Sequence, residues 1–150
     1  MKQIALAITL LTAQLMLFSF TSTKEVTKHT LTVKVSDLRN SKGVVQFTLY
    51  NKEGSIPDED YENYYRQLNA KITNKTSIIK FHNLPKGKYA INILHDENKN
   101  GIIEKGWIFP IEGIGFSNFN SIGFSNRPSF KKASFYLGKN FTKTVKIIYM

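Results

Sequence analysis

Oxygen-bearing side chains recur at every second position in one short stretch of the chain. Asp96, Asn98 and Asn100 occupy alternate positions, and a glycine, Gly101, follows them directly. This spacing matches the first half of the calcium-loop pattern D-x-[DN]-x-[DN]-G. Alternate side chains converge when the backbone curls, glycine permits the sharp turn, and a hard cation takes many oxygen ligands at about 2.3–2.6 Å. The stretch therefore predicts a calcium site.

The second half of the calcium-loop pattern is incomplete. Trp107 stands at the twelfth position, where a bidentate glutamate is expected. Glu104 at the ninth position is one remaining carboxylate, and Glu112 is placed to fold back as another. Ile103 would anchor the loop in the core, and the residue before it would offer its backbone carbonyl. With so few carboxylates we expect weak affinity, about 10⁻⁴–10⁻³ M, and a structural role for the ion. The predicted ligands are Asp96, Asn98, Asn100, Ile102, Glu104 and Glu112.

The same stretch has a simpler interpretation as a polar turn. Asp and Asn side chains bond to their own backbone and tolerate left-handed angles, so an Asn-Gly turn needs no metal. The sequence alone does not distinguish a calcium loop from a plain polar turn.

A long segment, 96–129, follows without strand-like alternation and is rich in glycine and aromatic residues. A stretch of this length without regular structure is uncommon and tends to be functional. Trp107 and Phe109 directly follow the predicted metal loop, so they are the predicted binding residues for a partner. We expect at most two aromatic side chains of the segment to be exposed, with Trp107 as one of them, and most of the phenylalanines to be packed.

Alternation of apolar and polar residues predicts the elements that position this segment. Such alternation is typical of half-buried strands. It indicates about seven short strands and an all-β, antiparallel β-sandwich with one short helix and a long loop. The predicted strands include Leu31–Val35, Val45–Leu49, Lys71–Thr73, Ile79–Phe81, Tyr89–Ile93, Ala133–Leu137 and Val145–Tyr149.

The short helix is predicted over residues 57–67. Ser55 suits an N-cap and Pro57 an early helical position. Apolar residues then recur at helical spacing, which favours a buried face, with a ligand platform as the alternative. These residues are Tyr61, Tyr64, Tyr65 and Leu68.

The amino-terminal segment has the composition of a secretory signal peptide. Lys2 precedes a nearly continuous apolar run, Ile4–Phe20, and small hydroxyl residues follow it. We predict a signal peptide over residues 1–23 and a single β-sandwich domain over 24–150, exported to the periplasm or cell surface. An uncleaved membrane anchor is the alternative, since the run is just long enough to span a bilayer. The chain has no cysteine, which excludes disulfides and thiolate metal sites.

The charge balance favours anionic partners. Lys and Arg total 21 against 11 Asp and Glu, a formal net charge of +10. For an exported protein such partners are an anionic envelope polymer, a glycan or a protein, and nucleic acid is in the wrong compartment. Simple solubility explains the charge equally well. No transmembrane span is expected in the mature form.

The sequence contains no recognised arrangement of catalytic residues. The histidines are far apart in the sequence, and the serines of the long segment lack the G-x-S-x-G context of a hydrolase nucleophile. The predicted function is an exported, non-catalytic envelope module that is stabilised by calcium and binds a glycan or protein. A structural or assembly protein without metal is the alternative, and a metal-dependent enzyme is a second one.

Three stretches resemble a known family. Phe81–Ile91, His95–Gly101 and Pro110–Asn118 are similar to the exported bacterial proteins catalogued as domain of unknown function 2141, over about Leu31 to Tyr149. The resemblance implies export and the fold, and no particular chemistry. Glu104–Trp107 departs from the family pattern, which weakens the transfer of a ninth-position ligand.

One turn has a more distant resemblance. Leu84–Tyr89 is similar to the Leu-Pro-x-Gly-x-Tyr turn of transthyretin-like and collagen-adhesin B-type sandwiches. This implies a prealbumin-like or immunoglobulin-like arrangement, by analogy of fold alone.

Overall fold

Two β-sheets face each other in the computed structural model, which describes residues 27–104, 106–107 and 110–150. The first sheet has the order β4-β1-β8, and the second has the order β3-β2-β5-β6, with β7 also pairing with β5. The strands are β1 (Lys28–Val35), β2 (Val44–Tyr50), β3 (Arg66–Ala70), β4 (Ser77–Pro85), β5 (Gly87–Asp96), β6 (Gly113–Phe116), β7 (Phe135–Leu137) and β8 (Phe141–Thr144), and one short helix, α1, spans Phe130–Ala133.

An apolar core, here called the inner core, lies between the two sheets. Each strand places alternate side chains on this side, because successive side chains point to opposite faces. β1 contributes Leu31 and Val33 from the first sheet, and β2 contributes Phe47 from the second. The inner core consists of Leu31, Val33, Val35, Leu38, Val45, Phe47, Leu49, Phe81, Leu84, Tyr89, Ile91, Ile93, Leu137, Val145 and Ile147.

A second apolar cluster, here called the outer layer, covers the opposite face of the second sheet. β2 and β5 are therefore buried on both faces, unlike β1. Loop residues and α1 supply the cover, so the long segment predicted from the sequence packs as a layer of its own. The outer layer consists of Tyr50, Ile56, Tyr61, Ala90, Leu94, Ile114, Phe116, Phe119, Phe130 and Ala133.

The carboxyl-terminal residues connect the two sheets. β8 pairs with β1 in parallel, and Ile148 then exchanges two backbone hydrogen bonds with Ile114 of β6, at 2.9 and 2.8 Å. This crossing requires glycine in β6, because a Cβ on Gly115 would overlap the Lys146 carbonyl oxygen. The strand predicted over 145–149 is thus a short bridge beyond β8.

The helix predicted over residues 57–67 is wrong. Asp58 accepts backbone N–H bonds from Glu62 and Asn63, both at 3.0 Å, which closes a turn instead. Tyr65 then donates its backbone N–H to the Leu49 carbonyl at 2.8 Å, so the chain enters β3 beside β2. Pairing with a neighbouring strand has overridden the helical spacing of the tyrosines, of which Tyr61 is buried while its later neighbours are exposed.

The all-β sandwich predicted from the sequence is confirmed, with differences of detail. The described residues contain eight strands, one more than expected, and one of the pairings is parallel. The strand expected over 71–73 lies instead at Arg66–Ala70, and the predicted long loop contains β6. Within the described part of the chain, no helix is long and apolar enough to cross a membrane. The predicted signal peptide, 1–23, lies outside the described residues.

Candidate functional site

Polar side chains are buried on the outer face of the second sheet. Gln46 and Thr48 of β2 and Asn92 and Asp96 of β5 are all shielded from solvent. They share this face because they occupy alternate positions on two neighbouring, antiparallel strands. Asp96 is the last residue of β5, so this polar row leads directly into the predicted calcium loop.

The loop after Asp96 curls around the Asp96 carboxylate. Its Oδ1 accepts the N–H of Asn100 at 3.1 Å, and its Oδ2 accepts the N–H of Gly101 at 2.9 Å. Lys99 and Gly101 adopt left-handed φ angles of 65° and 75°. These angles bend the chain back over the carboxylate, which is 1% exposed. The curl that the alternating sequence pattern predicts is therefore present.

The other polar residues of the loop meet at the Glu104 carboxylate. Its Oε1 accepts bonds from the side-chain amides of Asn98 and Asn100, at 2.7 and 3.1 Å. The Asn98 Oδ1 accepts the backbone N–H of Asn100 at 3.0 Å, and the Asn100 Oδ1 accepts that of Ile102 at 3.0 Å. Four of the predicted ligands, Asn98, Asn100, Ile102 and Glu104, thus lie close together. Ile103 packs against the outer layer as expected, and the side chain of Ile102 is exposed.

Glu112, directly before β6, reaches back to the start of the loop. Its Oε1 accepts the backbone N–H of Glu97 at 2.8 Å. Its Oε2 has no hydrogen-bond partner within the described residues, although the side chain is only 3% exposed. Burial raises the pKa of Glu112 above its usual value, the Glu97 N–H opposes this, and the charges of Asp96 and Glu104 raise it further. The carboxylates of Asp96, Glu104 and Glu112 are therefore close enough to repel one another.

The carboxylates alone do not form a metal centre. Among residues 27–104, 106–107 and 110–150, no group of three or more His, Asp or Glu side chains is placed to hold a metal ion. A cation here needs the amide oxygens of Asn98 and Asn100 and a backbone carbonyl as well. In the described part of the chain, the ion pairs involve only Glu97 with Arg39 and with His95, so neither Asp96 nor Glu112 has a basic partner.

More buried polar groups lie behind the loop. The Gln46 Nε2 lacks a hydrogen-bond partner in the described structure, and its Oε1 faces Gly101, where an added Cβ would lie 3.8 Å away. Tyr61 donates its hydroxyl to the Asn92 Oδ1 at 3.0 Å. Burial, above all, raises the pKa of Tyr61, the nearby Gln46 side chain opposes this, and the acidic side chains add to the increase. This polar floor was not predicted from the sequence.

On the inner side of the loop, His95 serves as a packed structural residue. Its Nδ1 lies 2.7 Å from the Tyr149 hydroxyl and its Nε2 lies 3.0 Å from the Lys42 carbonyl. Arg39 stacks 4.8 Å from the Tyr149 ring centroid and pairs with Glu97. Burial would raise the pKa of Glu97, but hydrogen bonds from Asn40 and Arg39 keep it below its usual value. These contacts hold the first turn of the loop against the carboxyl-terminal residues.

Trp107 lies on a loop whose two ends are held together. Ile111 donates its backbone N–H to the Glu104 carbonyl at 2.9 Å. Trp107 is fully exposed between these ends, and Phe124 is 72% exposed. The phenylalanines at 116 and 119 are buried, so the expected division between exposed and packed aromatics is found among the described residues. Phe109, the second predicted binding residue, lies outside the described residues.

Comparison with curated proteins and with solved structures gives no match. One bacterial family, described as "Uncharacterized protein conserved in bacteria (DUF2141)", matches residues 33–145. This match covers both sheets from β1 to β8 and includes the loop from Asp96 to Glu112. It confirms the resemblance found in the sequence. The chain therefore belongs to the DUF2141 family.

Proposed function

We propose that this protein is an exported, non-catalytic module of the cell envelope whose 96–104 loop binds calcium and supports a glycan-binding loop. The observation that carries the proposal is the buried Glu112 Oε2, which has no hydrogen-bond partner among the described residues and lies near a second buried carboxylate, Asp96. The apolar run at Ile4–Phe20 supports export.

Two buried carboxylates that have no basic partner in the described part of the chain call for a counter-charge. Leaving a charge buried and unpaired costs several kcal/mol, so the group either takes up a proton or gains a cation. A calcium ion would supply charge to Asp96, Glu104 and Glu112 together. Each Asn oxygen of the loop uses one lone pair on a backbone N–H and keeps a second for a ligand bond. The sequence departs from the family pattern around the ninth position, but the Glu104 side chain reaches the loop, and this contact supports its role as a ligand.

The proposed ion would act on the Trp107 loop through both of its ends. Glu104 precedes the loop and Glu112 follows it, and the backbone bond from Ile111 to Glu104 already closes it. A cation bound to both glutamates would hold the ends at a fixed separation. Aromatic side chains on rigid loops are effective anchors for a partner, since little conformational entropy is lost on binding. The net charge of +10 favours an anionic glycan.

Structural roles of the reactive side chains support a non-catalytic function. Ser117, in the long segment, is fully buried, donates to the Ala133 carbonyl at 2.7 Å and accepts the Ile91 N–H at 2.9 Å. His95 is occupied on both ring nitrogens. Neither forms a nucleophile and base pair, which is the minimum for acyl or group transfer.

Thermal unfolding with and without calcium tests the metal proposal. At 10 mM calcium and a dissociation constant of about 1 mM, the folded protein gains about 1.4 kcal/mol by mass action. The gain should be present in the wild type and in Glu53→Gln, which neutralises an exposed carboxylate away from the loop. It should be absent in Asp96→Asn and reduced in Glu112→Gln. A wild type that calcium does not stabilise would make the loop a plain polar turn.

Fluorescence tests the glycan proposal, because Trp107 is the only tryptophan. Its emission should be red-shifted in the free protein and should shift on addition of soluble peptidoglycan fragments or polygalacturonate. A neutral glucan is the control for charge. An emission unchanged by either acidic glycan would refute glycan binding at Trp107 and favour a protein partner.

Amino-terminal sequencing tests export. Protein taken from the native cell envelope should begin after about residue 23, at the end of the small-residue stretch. A sequence starting at Met1 would favour the membrane anchor instead.

A further inference from the structure

We propose that a pocket on the outer face of the second sheet binds a small amphipathic anion, with its apolar body inside the pocket and its carboxylate or phosphate group at Arg127. The pocket shares Ile103 with the Asp96–Glu104 loop but none of the predicted calcium ligands, and the proposal does not depend on calcium.

The floor of the pocket belongs to the second sheet. Tyr50 of β2, Asn92 of β5 and Ile114 and Phe116 of β6 line it, and its volume is about 420 Å³. Small-molecule sites in proteins have volumes of roughly 300–1,000 Å³, with mainly apolar walls and a few polar groups. Because three hydrogen-bonded strands form this floor, its shape is present before any ligand binds.

The walls are apolar and rigid. The lining includes Pro57, Pro110 and Pro128, together with Ile103 and Ile122. Proline fixes its own φ angle, so these walls lose little conformational freedom when a ligand enters. Water gains few hydrogen bonds in such a space, which favours its displacement by an apolar group.

Arg127, an exposed residue of the lining, supplies the positive charge. Its guanidinium lies 5.9 Å from the Phe124 ring centroid. The chain has two other arginines, and both have oxygen partners: Arg39 pairs with Glu97, and Arg66 donates to the His82 carbonyl at 2.7 Å. Within the described residues the Arg127 guanidinium has no such partner. A guanidinium that has no oxygen partner among the described residues and lines an apolar pocket matches an anionic head group, because it can donate two parallel bonds to a carboxylate or phosphate.

Acidic residues in the lining also bear on the orientation of the ligand. Asp58 and Glu59, which follow Pro57 in the chain, line the same pocket. Asp58 already accepts the backbone N–H groups of Glu62 and Asn63, so its carboxylate is held in place by the turn. The Asp58 carboxylate repels an anion, and the head group is therefore directed to Arg127, the basic residue of the lining.

Calorimetric titration tests the proposal with protein purified from the envelope of cells that express the full chain. The probes are decanoate and decyl phosphate, with decanol and decyltrimethylammonium as uncharged and cationic controls, all below their micelle concentrations and in EDTA. The two anions should bind at least about tenfold more tightly than decanol, and the cation should bind most weakly. The relative affinity of decanoate and decyl phosphate distinguishes a carboxylate from a phosphate ligand.

Variants separate the charge from the pocket. Arg127→Gln should weaken decanoate binding about tenfold and leave decanol binding unchanged. Lys131→Gln is the matched control, since it removes one exposed positive charge from the nearby α1, and it should bind as the wild type does. Ile122→Trp should fill the pocket and weaken all four probes. Equal affinity for decanoate and decanol, an unaffected Arg127→Gln, or no binding of either anion would overturn the proposal. EDTA removes calcium throughout, so none of these results depends on calcium binding by the loop.

Discussion

The two faces of the second sheet bury different kinds of side chain, although the same strands, β2 and β5, supply both. Toward the inner core, β2 presents Val45, Phe47 and Leu49, which are all apolar. Toward the outer layer it presents Gln46 and Thr48, which are equally buried. The sheet is thus a boundary between an apolar interior and a layer that contains polar and charged groups.

Hydrogen bonding differs between the two faces as well. In the described residues, three buried polar atoms lack a partner, and two of them, on Gln46 and Glu112, belong to the outer side. Buried polar groups are nearly always paired in folded proteins, so such exceptions tend to mark functional positions. We infer that the inner core supplies most of the stability and that the unpaired polar atoms of the outer side lower it.

The largest expected effect comes from emptying the inner core. Phe47→Ala should lower the free energy of unfolding by about 3–5 kcal/mol, because it removes a fully buried ring from a packed interior. Urea unfolding followed by circular dichroism measures this, with Tyr136→Ala on an exposed position as the control. A loss below about 1 kcal/mol would mean that the inner core does not dominate stability.

A smaller effect should distinguish two buried amides on the outer face. Asn92→Leu leaves the Tyr61 hydroxyl without its acceptor and should cost about 1–3 kcal/mol. Gln46→Leu removes a donor that already lacks a partner, so stability should change by no more than about 1 kcal/mol. The same urea titration compares them. Equal losses for the two variants would contradict the assignment of Gln46 as unsatisfied.

The pH dependence of stability should reveal Glu112. Its folded pKa is raised above the usual 4.5, so the unfolded chain releases this proton at lower pH than the folded protein does. As pH rises from about 4.5 toward the folded pKa, Glu112 therefore lowers the stability of the calcium-free protein. Melting temperatures in EDTA should fall less steeply in Glu112→Gln than in the wild type over this range. Parallel curves would show that Glu112 does not titrate abnormally.

The smallest expected effect belongs to the most exposed aromatic residue. Trp107→Ala should change the free energy of unfolding by less than about 0.5 kcal/mol, since a fully exposed ring contributes little packing. Circular dichroism is needed for this measurement, because the variant has no tryptophan. A loss of more than about 2 kcal/mol would place Trp107 in the packed structure and remove it as a binding residue.

Local sequence signals predicted the parts of the molecule that depend on near neighbours. The strands follow from alternation, and the curl around Asp96 follows from side chains that bond within five residues. The helix prediction failed because the tyrosine spacing is a weak signal that strand pairing with Leu49 overrides. Arg39 contacts Glu97, 58 positions away, and His95 contacts Tyr149, 54 positions away. No local sequence pattern predicts such contacts.

The pairing of β1 with β8 has a consequence for the order in which the molecule folds. The two strands are far apart in the chain. Thr30 of β1 donates its backbone N–H to the Asn140 side chain, 110 residues later and directly before β8. Contacts between such distant segments slow folding, since a long loop must close before they form. A chain that emerges amino end first, from a ribosome or through a membrane pore, cannot close its first sheet until residues 141–144 have emerged. Completion of the sandwich is thereby coupled to the emergence of residues 141–144, and an early intermediate would show β4 and β1 paired while β8 is still unprotected from hydrogen exchange.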